Sequence, residues 1–188
     1  MNVRDFVLLV LASVGGVVRG KTKLQKQVYF VGELTRVDVA LGYKAHYYGP
    51  YSSRVDNALD ELWSLGLIEK HTNSTGQRGE RGYEKVRYDF TLTDAGKRAV
   101  AQITGTCPAD AAAIANAGGR LTSAGDLHYM DLAAAAKTHF ILQQSGALMD
   151  DEEITKTAGR LNWDLGSPQI DQATGFLVSL RLARKKQE

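Results

Sequence analysis

The amino-acid sequence predicts a mainly α-helical chain with one small antiparallel β-wing, and three observations lead there. Over 52–65, Val55, Leu59, Leu62 and Trp63 fall at i, i+4, i+7 and i+8, which predicts a helix with one buried stripe. Two short runs rich in β-branched and aromatic residues, "LIEKHT" and "VRYDFTL", flank the polar piece "NSTGQRGERGYEK", whose glycines at 76, 79 and 82 mark a mobile hairpin tip. Thr93 then caps a further helix, "DAGKRAVAQI". Helix, strand, hairpin tip, strand and closing helix is the order of the second half of a winged helix-turn-helix. The expected architecture is that module over 1–104, followed by an α-helical region over 105–188 that packs on it or dimerises.

The remaining elements follow from local chemistry. Asn2 is placed to cap a first helix with Asp5 near its third position, and the apolar run "FVLLVLASVGGVV" ends at Gly15-Gly16. Asp5 ahead of that run, the lack of a small-residue cleavage site and its short length favour a buried helix over a signal peptide or a membrane span. Thr22 with Gln25 three residues on suggests a capping box, after which Leu24, Val28, Val31 and Leu34 repeat at helical spacing. "GYKAHYYG" alternates Tyr43, Ala45 and Tyr47 with Lys44, His46 and Tyr48, the pattern of a short half-buried strand or extended segment. Pro50 then stops regular structure before the next helix, and Gly66 ends that helix. Beyond residue 105 the text turns alanine-rich, and helices are expected at about 109–118, 127–144, 151–163 and 168–184. Asp150 with Glu153 and Ser167 with Pro168 supply start signals. The last of these helices carries Ile170, Ala173, Phe176, Leu177 and Leu180 as an apolar stripe fit for a partner helix.

Composition bounds the function without choosing it. The chain has 23 Lys/Arg and 21 Asp/Glu, net +2, too small to mark a nucleic-acid binder alone. The cations are unevenly spread, however: fifteen against eleven acids over 1–104, and eight against ten over 105–188. The single cysteine, Cys107, leaves no internal disulfide or cysteine-based zinc site and fits a reducing cytoplasm.

The residues around the 52–65 helix carry the expected site. Ser52 and Ser53 at a helix N-terminus suit phosphate, and Arg54 and Asn57 are the side-chain types that read guanine and adenine edges. Arg78, Arg81, Lys85 and Arg87 on the β-wing would reach a minor groove or phosphates. Arg19, Lys21, Lys23 and Lys26 form an acid-free cationic run at the start of the preceding helix. Against groove insertion, the 52–65 helix bears Asp56, Asp60 and Glu61 beside one arginine. The tyrosines at 43, 47, 48 and 51 suggest packing with satisfied hydroxyls, with a pocket or base stacking as alternatives.

Enzyme chemistry has thin support. His128, Asp131 and His139 share nearly one helical face, yet a metal needs all three to converge, and a polar helix face is the plainer reading. There is no phosphate-binding glycine loop and no nucleophile elbow. The expectation is a non-enzyme without cofactor or metal.

"LDELWSLGLIEKH", a basic hairpin and "YDFTLTDAGKRAV" resemble the recognition-helix, wing and closing-helix pattern of MarR- and PadR-type regulators. The fuller string "KTKLQKQVYF" with "YYGPYSSRVDNALDELWSLGLIE" is similar to the poorly characterised YwgA-type family. In that family Lys-x-x-Leu-Gln-Lys (here Lys21, Leu24, Gln25, Lys26) precedes Tyr-Gly-Pro-Tyr-Ser (Tyr48, Gly49, Pro50, Tyr51, Ser52). The likeness covers about residues 20–100, and antitoxin domains with a Leu-Gln-Lys and Gly-Pro layout resemble it more weakly. These resemblances imply a winged helix and leave the role open. The leading expectation is a cytoplasmic, homodimeric transcriptional regulator that binds double-stranded DNA and has no membrane association. The alternative is a winged-helix protein-interaction module, antitoxin-like or defence-associated, whose partner is a protein.

Overall fold

A computed structural model describes residues 1–78, 84–146 and 149–184. Among them the chain forms eight helices and one three-stranded sheet: α1 Val3–Ser13, β1 Val17–Arg19, α2 Lys21–Thr35, α3 Ser53–Ser64, β2 Ile68–Arg78, β3 Glu84–Leu92, α4 Asp94–Thr106, α5 Pro108–Ser123, α6 Tyr129–Ser145, α7 Asp151–Arg160 and α8 Ser167–Ser179. The sheet is antiparallel in the order β1-β3-β2, with Val18 opposite Phe90 and Lys70 opposite Phe90 on the other side. No described helix is long and apolar enough to cross a membrane.

Several helix ends follow their local chemistry as expected. The Asn2 side chain accepts from the Asp5 amide at 2.8 Å, Thr93 accepts from the Gly96 amide at 3.0 Å, and Asp150 and Glu153 form a reciprocal capping box. At the end of α3 the Gly66 amide donates to the Trp63 carbonyl and the Leu67 amide to the Leu62 carbonyl. Gly66 has φ +68°, the left-handed conformation that this closure requires and glycine adopts cheaply.

Other expectations are corrected. Thr22 caps nothing: α2 begins at Lys21 after Gly20, which has no side chain to cap with, so Thr22 already lies inside the helix. Trp63 is not in the buried stripe of α3, which is Val55, Ala58, Leu59 and Leu62; Trp63 is 51% exposed. The segment 43–48 is no strand. Its one ladder element is a bridge in which Lys44 and Tyr51 exchange both backbone hydrogen bonds, and Ala45 and Tyr47 face solvent. The expected hairpin tip is partly strand, since β2 continues to Arg78 and β3 begins at Glu84, with a register shift between Ser74 and Arg78. At α8 the cap is Gly166, whose amide donates to Gln169 Oε1 at 2.7 Å, and the helix stops at Ser179. The α5 helix runs to Ser123 and α7 stops at Arg160.

The apolar stripe of α8 has its partner inside the chain. Ile170, Ala173, Phe176 and Leu177 are buried, α8 packs on α6, and Phe176 meets Phe30 of α2 edge-to-face at 5.6 Å. That stripe is therefore not a free dimer face. One hydrophobic core joins Phe6, Leu8 and Leu11 of α1 and Val28 and Phe30 of α2 to Ile114 of α5, Ile141 of α6 and Leu177 of α8. Close approach of α5 to α1 depends on Gly118, where a Cβ would lie 2.1 Å from Ser13 Oγ and 3.1 Å from the Ser13 carbonyl carbon. The neighbouring Gly119 has open space at the same position.

This contrast gives a test by sign. Gly119→Ala is expected to raise stability by up to about 1 kcal/mol through helix propensity. Gly118→Ala is expected to lower it by about 1–3 kcal/mol through overpacking. Urea denaturation of both variants reads the pair, and a stabilising Gly118→Ala contradicts the packing of α5 on α1.

Candidate functional site

The segment between α2 and α3 is held by side chains reaching from inside α2. The Gln25 carboxamide completes a two-way pair with one residue: its Nε2 donates to the Ser52 carbonyl at 2.9 Å, and its Oε1 accepts from the Ser52 amide at 3.2 Å. Lys26, only 2% exposed, donates through Nζ to the Pro50 carbonyl at 2.6 Å. Tyr43 donates its hydroxyl to the Gln25 carbonyl at 2.8 Å. Ser52 is fully buried; its hydroxyl donates to the Leu41 carbonyl and accepts from the Val55 amide at 3.1 Å, which caps α3. Gly49, at φ +91°, brings the turn against α6, where a Cβ would meet Lys137 Cγ at 2.9 Å. From the C-terminal region the Trp163 indole donates to the His46 carbonyl at 2.6 Å. The Leu-Gln-Lys and Gly-Pro-Tyr-Ser residues thus form one polar clasp that fixes where α3 begins.

Burial of Lys26 has an electrostatic consequence. Loss of water, with the nearby Lys137 charge adding to it, pushes the amine from 10.5 down to about 7. Its amine is engaged by the Pro50 carbonyl, at the wall of a cavity of about 360 Å³ that Lys21, His46, Tyr48 and Tyr51 also line.

The outer face of α3 presents Ser53, Arg54, Asn57, Asp60 and Glu61 to solvent. Its acids are each met by a cation from another element. Lys21 lies 2.8 Å from Asp56, Lys70 lies 3.0 Å from Asp60, and Arg4 lies 3.0 Å from Glu61 and 3.2 Å from Asp5. Burial tends to raise the Asp56 carboxyl, but bonds from Lys21 and the Tyr51 hydroxyl, with the Lys21 and Lys70 charges, hold it below its ordinary value. Arg54 donates to the Ala40 carbonyl at 2.7 Å. Lys70 sits over the rings of Trp63 and Tyr88, 5.1 Å and 5.0 Å from their centroids, so three elements meet at the end of α3.

The sequence-predicted cations do not converge on one surface. Lys21 and Arg54 stand at the start of α3, but Lys26 is inside and Lys23 pairs with Asp126 beyond α5. Ser52 is a buried cap, so Ser53 and Asn57 are the exposed polar partners left to Arg54. Arg87 is held by both oxygens of Asp89 at 2.8 and 2.9 Å. Arg81 lies outside the described residues, as do the side chains of Arg78 and Lys85. Of the tyrosines, Tyr43 and Tyr51 have bonded hydroxyls, the latter 2.7 Å from Asp56, while Tyr47 is 73% exposed and stacks edge-on against Tyr48. His128, Asp131 and His139 are not a polar face. His128 precedes α6 in solvent, whereas His139 is buried with Nδ1 2.8 Å from the Tyr29 hydroxyl. Among the described residues no group of three or more His, Cys, Asp or Glu is placed to hold a metal.

Sequence reasoning missed the clasp role of Gln25 and the ion pairs of α3. The helical period offered no signal for the clasp, since positions 25 and 26 fall off the Leu24, Val28 and Val31 stripe.

No protein-family profile matches the chain. The chain is similar to the uncharacterized protein YwgA of Bacillus subtilis, 31% identical over 86 residues. The match covers 46% of this chain and 48% of that relative, so the chain spans about half the length of the curated relative it matches.

Two outcomes follow from the clasp. Gln25→Ala leaves the buried Ser52 amide without its partner, while the Ser52 carbonyl keeps the Asp56 amide at 3.2 Å, and is expected to cost about 1–3 kcal/mol in denaturant melts. An effect below about 1 kcal/mol contradicts the clasp. For Lys26, the unfolded state binds the proton up to 10.5 and the folded state only up to about 7. Wild-type stability therefore gains between those values as pH rises, and below pH 7 the penalty for the buried charge is fully present. The stability of Lys26→Met relative to wild type should accordingly fall by a few kcal/mol between pH 7 and pH 10, and a difference that stays flat contradicts the burial.

Proposed function

We propose that residues 1–104 are a winged helix used as a protein-docking module, with the outer face of α3 and the Trp63–Lys70–Tyr88 cluster as its docking surface. The winged-helix reading is supported by the element order α1-β1-α2-α3-β2-β3 and the sheet order β1-β3-β2. The observation that carries the docking reading is charge balance. Around α3, Arg4, Lys21, Arg54 and Lys70 stand against Asp5, Asp56, Asp60 and Glu61, and the carboxylates are already in ion pairs. A polyanion is held by releasing counterions from an excess of cations, and a surface of zero net charge has little to offer it. Protein interfaces instead favour balanced charge around an aromatic anchor, and the half-exposed Trp63 is such an anchor. The module then belongs with antitoxin-like or defence-associated interaction domains.

A second reading, a regulator that binds double-stranded DNA, is favoured by one specific observation. Ser53, Arg54 and Asn57 are exposed together in the first turns of α3, where a helix N-terminus meets phosphate well.

Anisotropy titration with labelled duplex at about 50 mM and about 200 mM salt separates the two. The docking reading expects no binding tighter than about 100 µM at the lower salt. It also expects a partner recovered from host extract after nuclease treatment, bound at least about tenfold more weakly by Trp63→Ala. Tight, salt-dependent duplex binding, or loss of the partner on nuclease treatment, overturns it in favour of DNA.

A further inference from the structure

We propose that a second site, the cleft between α2, residues 37–43 and the C-terminal half of α6, binds a small organic ammonium compound with the Glu33 carboxylate as its counter-ion. This goes beyond the docking surface, which lies on α3.

The cleft encloses about 400 Å³, within the range that small ligands occupy. Its lining is mixed: Glu33, Gln143 and Gln144 supply polar groups, and Val39, Leu41 and Phe140 apolar ones, beside Tyr29 and Tyr43, which meet edge-to-face at 5.0 Å. Gly32 lets Leu41 close against α2, since a Cβ there would stand 2.7 Å from Leu41 Cδ1. Glu33 is the carboxylate in this lining, and among the described residues no lysine, arginine or histidine forms an ion pair with it. That contrasts with α3, where each acid has found a cation. Burial pushes the Glu33 carboxyl above its ordinary value, the mark of a charge left uncompensated.

Glu33 is nevertheless held in place. Gln143 Nε2 donates to Glu33 Oε2 at 3.3 Å and lies 3.4 Å from His139 Nε2, and His139 Nδ1 shares a 2.8 Å hydrogen bond with the Tyr29 hydroxyl. Burial holds His139 down at about 4, so it is neutral at pH 7 and supplies no positive charge to Glu33. A chain of neutral groups thus orients one carboxylate at a cleft of mixed polar and apolar lining. An alkylammonium answers both parts of that lining, placing its charge on Glu33 and its hydrocarbon along Val39 and Leu41.

The test uses the full chain, n-butylammonium as probe and n-butanol as its neutral control, read by amide chemical shifts. The expected result is saturable perturbation of Gly32, Glu33, Leu41, Gly42 and Gln143 by the ammonium, with Kd on the order of 1–10 mM. The alcohol is expected to leave them unmoved. Glu33→Gln, close in shape, should weaken binding at least about tenfold, and Val39→Trp, which fills the cleft and leaves the carboxylate, should abolish it. No saturable perturbation, perturbation scattered outside the cleft, equal response to the alcohol, or unchanged affinity in Glu33→Gln overturns the proposal.

Discussion

The placement of α3 rests on two side chains of α2 that satisfy the backbone of the residues preceding it. A loop of seventeen residues, 36–52, separates the helices, and a turn buried at Gly49 and Pro50 must have its backbone carbonyls and amides bonded. Gln25 and Lys26 meet that demand at Ser52 and Pro50. Ser52 can then cap α3, and Gly49 can seat on α6. Without the clasp, the start of the helix rests on the Ser52 cap, the Lys44–Tyr51 bridge and the Arg54 bond to Ala40.

The same economy explains the surface chemistry. A lysine used inside the fold is not available outside it, and the remaining cations near α3 are drawn to the acids on that helix. The result is a face that is polar yet balanced, with Trp63 at its end over a lysine that a tyrosine also covers. The cation excess counted over 1–104 does not gather at α3, where cations and acids are balanced. In the cleft beside α6 the pattern reverses: among the described residues Glu33 has no ion pair.

What the sequence made legible is what local chemistry decides. The caps at Asn2, Thr93 and Asp150, the glycine closure after α3, and the hairpin of β2 with β3 each depend on residues within a few positions of one another. Distant partners were hidden. Thr22 and Gln25 have the spacing of a capping box, but Gln25 bonds Ser52, 27 residues away. The three-residue β1 is too short to show a period. Trp63 continues the α3 stripe by arithmetic, yet the stripe that α1 covers is narrower and ends at Leu62. The apolar side of α8 was legible as a contact face, but not that α6 of the same chain occupies it. Lys23 reads as a free cation because Asp126 is 103 residues further on.

Lys26 is held within the fold, 2% exposed and bonded to the Pro50 carbonyl. The most direct measurement of that placement is an NMR titration of the Lys26 side-chain Cε and Hε resonances between pH 5 and pH 11. A midpoint near 7 is the result this account predicts. A midpoint near the ordinary 10.5 would place the amine in water, beside Lys21 and Arg54, and return the cationic surface that phosphate needs.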